Sequence, residues 1–180
     1  MNREEVQNHA LNILKVNDRC SLGISMGVGK TRIAYKHMLG HYNSFAEFLV
    51  VAPKHSIIQT WIDESKKIGC EELLQHITFS TYRSLNKHNP NDFDIVYLDE
   101  CHSLLESHTP FLNNFNGNIV GLTGTPPKRK GSEKYRMVQK YCPVKYEFSV
   151  DEATNNKILN DYKIIVHKLE LSGVRNLPKK

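Results

Sequence analysis

Residues 25–31, Ser25-Met26-Gly27-Val28-Gly29-Lys30-Thr31, constrain this chain more than any other stretch. Before them, residues 20–24 form a short apolar-leaning run that reads as a buried strand, and after them residues 32–39 read as a helix. Strand, glycine loop, Gly-Lys-Thr, helix is the order that a phosphate-binding loop requires. Glycines let backbone N–H groups turn inward around an anion without Cβ clashes, and the following helix aims its positive end at the same place. Lys30 would then reach phosphate oxygens and the Thr31 hydroxyl a Mg²⁺ ion. Ile24 stands where the usual pattern has its first glycine, so Gly27 supplies the turn. The alternative is a glycine-rich strand–helix turn with Lys30 exposed. An acidic metal-binding element at the end of a later strand decides between the two.

Composition sets few limits. A chain of 180 residues is long enough for one domain with a real core. A formal charge of +5 permits a polyanionic partner without demanding one. No apolar run approaches the ~20 residues of a membrane span, so no membrane partner is expected. Met1-Asn2-Arg3-Glu4-Glu5 is not followed by the apolar core of a signal peptide. Cys20, Cys70, Cys101 and Cys142 are widely spaced, with no Cys-x-x-Cys pair, which argues against a zinc site and for reduced thiols.

Along the chain, helical spacing covers residues 3–15, and an almost continuous apolar run, 45–52, ends at Pro53 as a central strand would. A helix starting near Ser56 carries Ile57, Ile58, Trp61 and Ile62 and stops at Gly69. Strands are expected at 76–80, 93–98, 118–122, 144–150 and 162–171, with a loop at 86–92 and a basic loop at 128–134. A helix is expected at 135–141, and a short one over 151–158 with Asp151 as its cap. Strands alternating with helices predict an α/β fold, a central, mostly parallel sheet with helices on both faces. Ligands of such sheets sit at the C-terminal strand ends. Residues 25–31, Pro53-Lys54, Ser80-Thr81, Asp99-Glu100 and Thr123-Gly124-Thr125 all fall at such ends. They are therefore expected to meet on one edge of one sheet.

Asp99 follows four apolar residues, as a buried strand delivering a Mg²⁺-side carboxylate would. Glu100, one residue on, is placed to orient or deprotonate a water attacking a γ-phosphate. The plain reading of the pair is an ordinary acidic strand end, and the phosphate loop upstream weighs against it.

At this point the sequence resembles a family. Asp99-Glu100-Cys101-His102 is similar to the Asp-Glu-x-His box of superfamily 2 helicases and translocases. Residues 25–31 resemble their first motif, Val51-Ala52-Pro53-Lys54 their motif Ia, Ser80-Thr81-Tyr82 the following nucleic-acid-contacting motif, and Leu122-Thr123-Gly124-Thr125-Pro126 the third motif. The resemblance implies a RecA-like nucleotide-binding lobe over residues 1–171, a tail or linker over 172–180, and ATP with Mg²⁺ as cofactors. It makes Lys30, Asp99 and Glu100 the catalytic group. Met26, Gly27, Val28, Gly29, Lys30 and Thr31 would cradle the nucleotide, with Gln7 reading adenine through its two-faced amide. Thr31 and Asp99 would hold the metal. Pro53, Lys54, Ser80 and Thr81 would contact a sugar–phosphate backbone, and His102, Thr123, Gly124 and Thr125 would couple nucleotide state to polymer grip. Solvated positions are the plainer readings of Gln7, Lys54 and the 128–134 loop.

The motif wording is closer to double-stranded-DNA translocases and phage-type helicases than to RNA helicases, which favours DNA. Such motors have two RecA-like lobes, so a second lobe is expected in cis or in trans, and the chain without it is expected to turn over ATP slowly or not at all. The expected setting is the cytoplasm of a bacterium or phage-infected host, or a nucleus, and not secretion. A competing reading is a stand-alone module that holds a nucleotide or a protein without turnover; an unrelated phosphate-loop kinase would need lid arginines that the sequence does not supply.

Overall fold

The computed structural model describes residues 1–160. Six strands form one sheet: β1 (Arg19–Ile24), β2 (Phe48–Ala52), β3 (Ile77–Thr81), β4 (Ile95–Asp99), β5 (Asn118–Thr123) and β6 (Val144–Phe148), in the order β3-β2-β4-β5-β1-β6. Every pairing is parallel. Parallel neighbours need crossover connections, and helices supply most of them. Three longer helices, α1 (Arg3–Lys15), α2 (Lys30–His41) and α3 (His55–Ile68), are followed by the shorter α4 (Thr109–Asn114), α5 (Glu133–Tyr141) and α6 (Val150–Asn155).

The period-2 rule for strands places alternate residues on opposite faces. Phe48 and Val50 of β2, Ile95 and Tyr97 of β4 and Val120 and Leu122 of β5 pack into one core with α1, α2 and α3. Leu49, Val51, Val96, Leu98 and Ile119 pack into a second core with α4 and α5. Both faces are thereby covered, which is why these strands are apolar at nearly every position rather than alternating.

Boundaries move where local chemistry competes with pattern. The strand expected at 45–52 begins at Phe48, since Phe45 is 86% exposed in the preceding loop. The third helix starts at His55 with Lys54 as its cap residue, ahead of Ser56. Gly69 ends it in the left-handed region, φ +67°. The strand expected at 144–150 stops at Phe148, because Ser149 and Glu152 form a reciprocal capping box; Ser149, not Asp151, caps α6. The loop expected at 86–92 is largely 3-10 turn, over Tyr82–Lys87 and Pro90–Asp92. The strand expected at 162–171, and the proposed boundary at 171, lie outside the described residues.

His37, on α2, is buried at 2% exposure with Nδ1 2.8 Å from the Tyr97 hydroxyl. Burial, helped by neighbouring His41, lowers its pKa to about 4. A histidine that is neutral when folded but titrates near 6.5 when unfolded makes the unfolded chain bind the extra proton between those values. Its contribution is complete above the unfolded pKa and drains away as pH falls toward the folded one. His37→Asn, which cannot titrate, should lose less stability than the parent between pH 7 and pH 4.5, by roughly 2–3 kcal/mol in urea unfolding. Equal losses would place the pH dependence elsewhere.

Candidate functional site

Because all six strands run one way, their C-terminal ends share one edge, and the residues expected there are there. The glycine loop leaves β1 and enters α2. Gly27 and Gly29 have φ of +83° and +105°, a region that side chains with a Cβ rarely enter. At Gly29 a Cβ would also lie 2.7 Å from Gln7 Nε2. Lys30 folds back over the loop, its Nζ donating to the Ile24 carbonyl at 3.1 Å. Gln7 is buried and donates from Nε2 to the Val28 carbonyl at 2.8 Å, so it braces the loop from α1.

Asp99 ends β4, 7% exposed. Trp61 Nε1–H donates to its Oδ2 at 2.8 Å, and the Glu100 backbone N–H to its Oδ1 at 3.0 Å. The Tyr82 hydroxyl donates to the Asp99 carbonyl at 2.9 Å. Burial raises the Asp99 carboxyl above the usual range; the Trp61 hydrogen bond opposes this, the Glu100 charge adds to it and Lys30 offsets it. A cation in the cleft would therefore meet a carboxylate that gains from being paired.

Glu100 has φ +50°, in the left-handed region. Such strain in a non-glycine residue concentrates at functional sites. Its Oε2 accepts from the Thr123 hydroxyl at 3.2 Å and from the Gly124 N–H at 3.4 Å, and lies 3.3 Å from His102 Nδ1. Thr123 Oγ1 lies 2.8 Å from His102 Nδ1 and accepts the Thr125 N–H at 3.1 Å. With the Thr123 proton on Glu100, His102 must donate from Nδ1, so the network assigns that tautomer. Thr125 Oγ1 completes it, 3.4 Å from His102 Nδ1. Glu100 Oε1 makes no hydrogen bond among the described residues.

The strand order explains this meeting. β5 lies between β1 and β4, so the residues after it sit between the glycine loop and the acidic pair. A Cβ on Gly124 would be 3.6 Å from Lys30 Nζ, while its N–H faces Glu100. A cleft of about 510 Å³ is lined here by Gln7, Met26 to Arg32, Asp99 and Glu100, together with Arg3 of α1 and Ile57, Thr60 and Glu64 of α3. The loop can cradle an anion on its N–H groups, and Thr31 and Asp99 are the hard oxygen donors that suit Mg²⁺.

The remaining expected residues lie on the β2 and β3 side. Pro53 and Lys54 follow β2, with Lys54 exposed. Ser80 and Thr81 end β3 and are buried; the Ser80 hydroxyl is 2.8 Å from His88 Nε2. Sequence reasoning missed Trp61 and Tyr82, the two side chains that hold Asp99. Trp61 looked like one more member of the apolar stripe of α3. The available signal was chemical: a buried tryptophan needs an acceptor for its N–H.

The family described as type III restriction enzyme, res subunit, matches residues 1–128. The chain belongs to this family. Solved structures agree on the fold. The UvsW helicase from bacteriophage T4 is 15% identical with a TM-score of 0.64, over 78% of this chain and 58% of that one. The Pyrococcus furiosus Hef helicase domain is 14% identical with a TM-score of 0.61, over 82% and 38%. The type ISP restriction-modification enzyme LlaGI, solved with a DNA substrate mimic, is 19% identical with a TM-score of 0.60, over 87% and 20%. This res-family chain thus spans less than two thirds of each of these structures. No curated protein matches it in sequence. Its sheet and helices are those of a RecA-like lobe of the superfamily 2 helicase kind, as the motifs imply.

Proposed function

We propose that this chain is the ATP-binding lobe of a nucleic-acid-dependent ATPase, a DNA helicase or translocase that works with a second RecA-like lobe. The observation that carries this is the convergence of Lys30, Thr31, Asp99, Glu100 and Gly124 around one cleft. The N–H groups of residues 26–31 and Lys30 Nζ bind the phosphates, with Gln7, which lines the cleft, holding the loop and reading the base. Thr31 and Asp99 would hold Mg²⁺, which would neutralise charge on the phosphate oxygens. Glu100 takes the proton of the attacking water at Oε1, while Thr123, Gly124 and His102 fix its other oxygen. That tether joins the acidic pair to the residues after β5; on the other side the Tyr82 hydroxyl, next in sequence to Thr81, donates to the Asp99 carbonyl and gives a physical route by which polymer contact at Pro53, Lys54, Ser80 and Thr81 is felt at the nucleotide.

DNA is favoured over RNA as the polymer; the motif wording and the DNA-bound LlaGI relative support this. We assign the lobe to residues 1–171 and a tail or linker to 172–180, in a cytoplasmic or nuclear setting. Half of the cleft belongs to the second lobe, including the arginines that stabilise transition-state charge, worth roughly 10³–10⁵ in rate.

The test joins the chain to its second lobe and measures ATP turnover with and without duplex DNA and RNA. Turnover should be slow for the chain alone and rise with the second lobe and DNA. Silence of the joined protein on every polymer would leave a binding module instead, and rapid turnover by the chain alone would refute the two-lobe reading.

A further inference from the structure

Trp61 is the chain's sole tryptophan and is fully buried. It is fixed on several sides. Its carbonyl accepts from the Tyr35 hydroxyl at 2.9 Å, and its ring lies 5.5 Å from that of Tyr35 and 6.3 Å from that of Tyr97. A side chain locked in this way can orient another with little play. What it orients is Asp99, through the 2.8 Å hydrogen bond from Nε1–H to Oδ2.

The chemical type of this donor matters. A lysine or arginine here would cancel the carboxylate charge and repel a divalent cation. The indole N–H is a neutral donor that does not titrate, so it fixes the carboxylate without competing for it. An ionised carboxylate offers about four lone-pair sites. Trp61 takes one on Oδ2 and the Glu100 N–H one on Oδ1, which leaves acceptor capacity on both oxygens of a residue that lines the cleft. The Tyr82 hydroxyl on the Asp99 carbonyl fixes the backbone beneath it. Without Trp61, Oδ2 would be a buried acceptor free to rotate toward other partners.

We infer that Trp61 is a positioning residue for the metal: its indole N–H holds the Asp99 carboxylate in the one orientation that receives Mg²⁺ alongside a bound nucleotide. This rests on reading the cleft as a MgATP site. Partners of metal-ligating groups typically cost 10–100-fold in metal affinity when they are removed. Sequence alone hides this role, because it depends on α3 lying over the end of β4.

The test uses the full chain and a labelled ATP analogue that fluoresces through its own label. Affinity is measured in EDTA and in excess Mg²⁺, and the ratio of the two isolates the metal's contribution from the rest of nucleotide binding. Two replacements are compared with the parent. Trp61→Phe removes the N–H and one ring. Biosynthetic replacement of tryptophan by benzothienylalanine, which alters only this position, exchanges the N–H for sulfur and keeps the shape. Both should lower the Mg²⁺ ratio by roughly 10-fold or more, with affinity in EDTA unchanged. A parent-like ratio in the benzothienylalanine protein overturns the role of Trp61 and leaves the MgATP site standing. A parent chain that binds the analogue under neither condition, or with no effect of Mg²⁺, overturns both.

Discussion

Lys30→Ala should weaken MgATP binding by roughly 10–100-fold, the equivalent of ~1.5–3 kcal/mol for hydrogen bonds to a charged group. Turnover by the joined two-lobe protein should fall further, by roughly 10²–10³ beyond the loss of binding, since the same ammonium stabilises charge that develops in the transition state. Among the described residues Lys30 Nζ donates only to the Ile24 carbonyl, and Lys30 is half-buried at the start of α2. Removing it should leave the fold intact, with an unchanged circular dichroism spectrum. The loop geometry also survives, because Gly27 and Gly29, with Gln7 beneath, set it without help from the lysine. A variant that binds and turns over ATP like the parent would mean that the loop has another role.

Glu100→Gln should separate binding from chemistry. The amide oxygen can still accept from the Thr123 hydroxyl and the Gly124 N–H, so the left-handed turn at this residue and its link to the end of β5 are kept. What is lost is the ability to take a proton. Positioned general bases contribute roughly 10²–10⁴ in rate, and turnover should fall by that factor while MgATP affinity stays the same. Steady-state turnover and equilibrium binding, measured on the same preparation, check the two halves. A drop in affinity that matches the drop in rate would assign Glu100 to substrate binding instead.

Much of this was legible from pattern. The glycine loop, the acidic pair and Thr123-Gly124-Thr125 each sit where an apolar run ends, and in a parallel sheet that is enough to bring them to one edge. The order of strands was not legible. Nothing local in β5 says that it lies between β1 and β4, and that placement is what sets Gly124 between Lys30 and Glu100. Gln7 shows a second limit. A glutamine on the first helix suggests base recognition; the fold adds a bracing role that the sequence does not display, since its amide nitrogen donates to the Val28 carbonyl. Ser80 is similar: as a strand-end hydroxyl it suggests backbone contact, and the fold adds a hydrogen-bond partner for it, His88 Nε2 at 2.8 Å. In both cases the side chain's partner lies beyond the element that carries it, 21 residues away for Gln7 and eight for Ser80, which no periodicity can report. Trp61 is the strongest case, since apolar spacing on α3 and service to Asp99 coincide in one residue.

The central claim is that the edge carrying the ends of β1, β4 and β5 holds MgATP. Its most direct measurement is equilibrium binding of a fluorescent ATP analogue with Mg²⁺ to the 180-residue chain, with Lys30→Ala alongside. The expected result is a single saturable site that unlabelled ATP competes for and that Lys30→Ala weakens. No saturable binding up to millimolar analogue, or binding that Lys30→Ala leaves untouched, would contradict it.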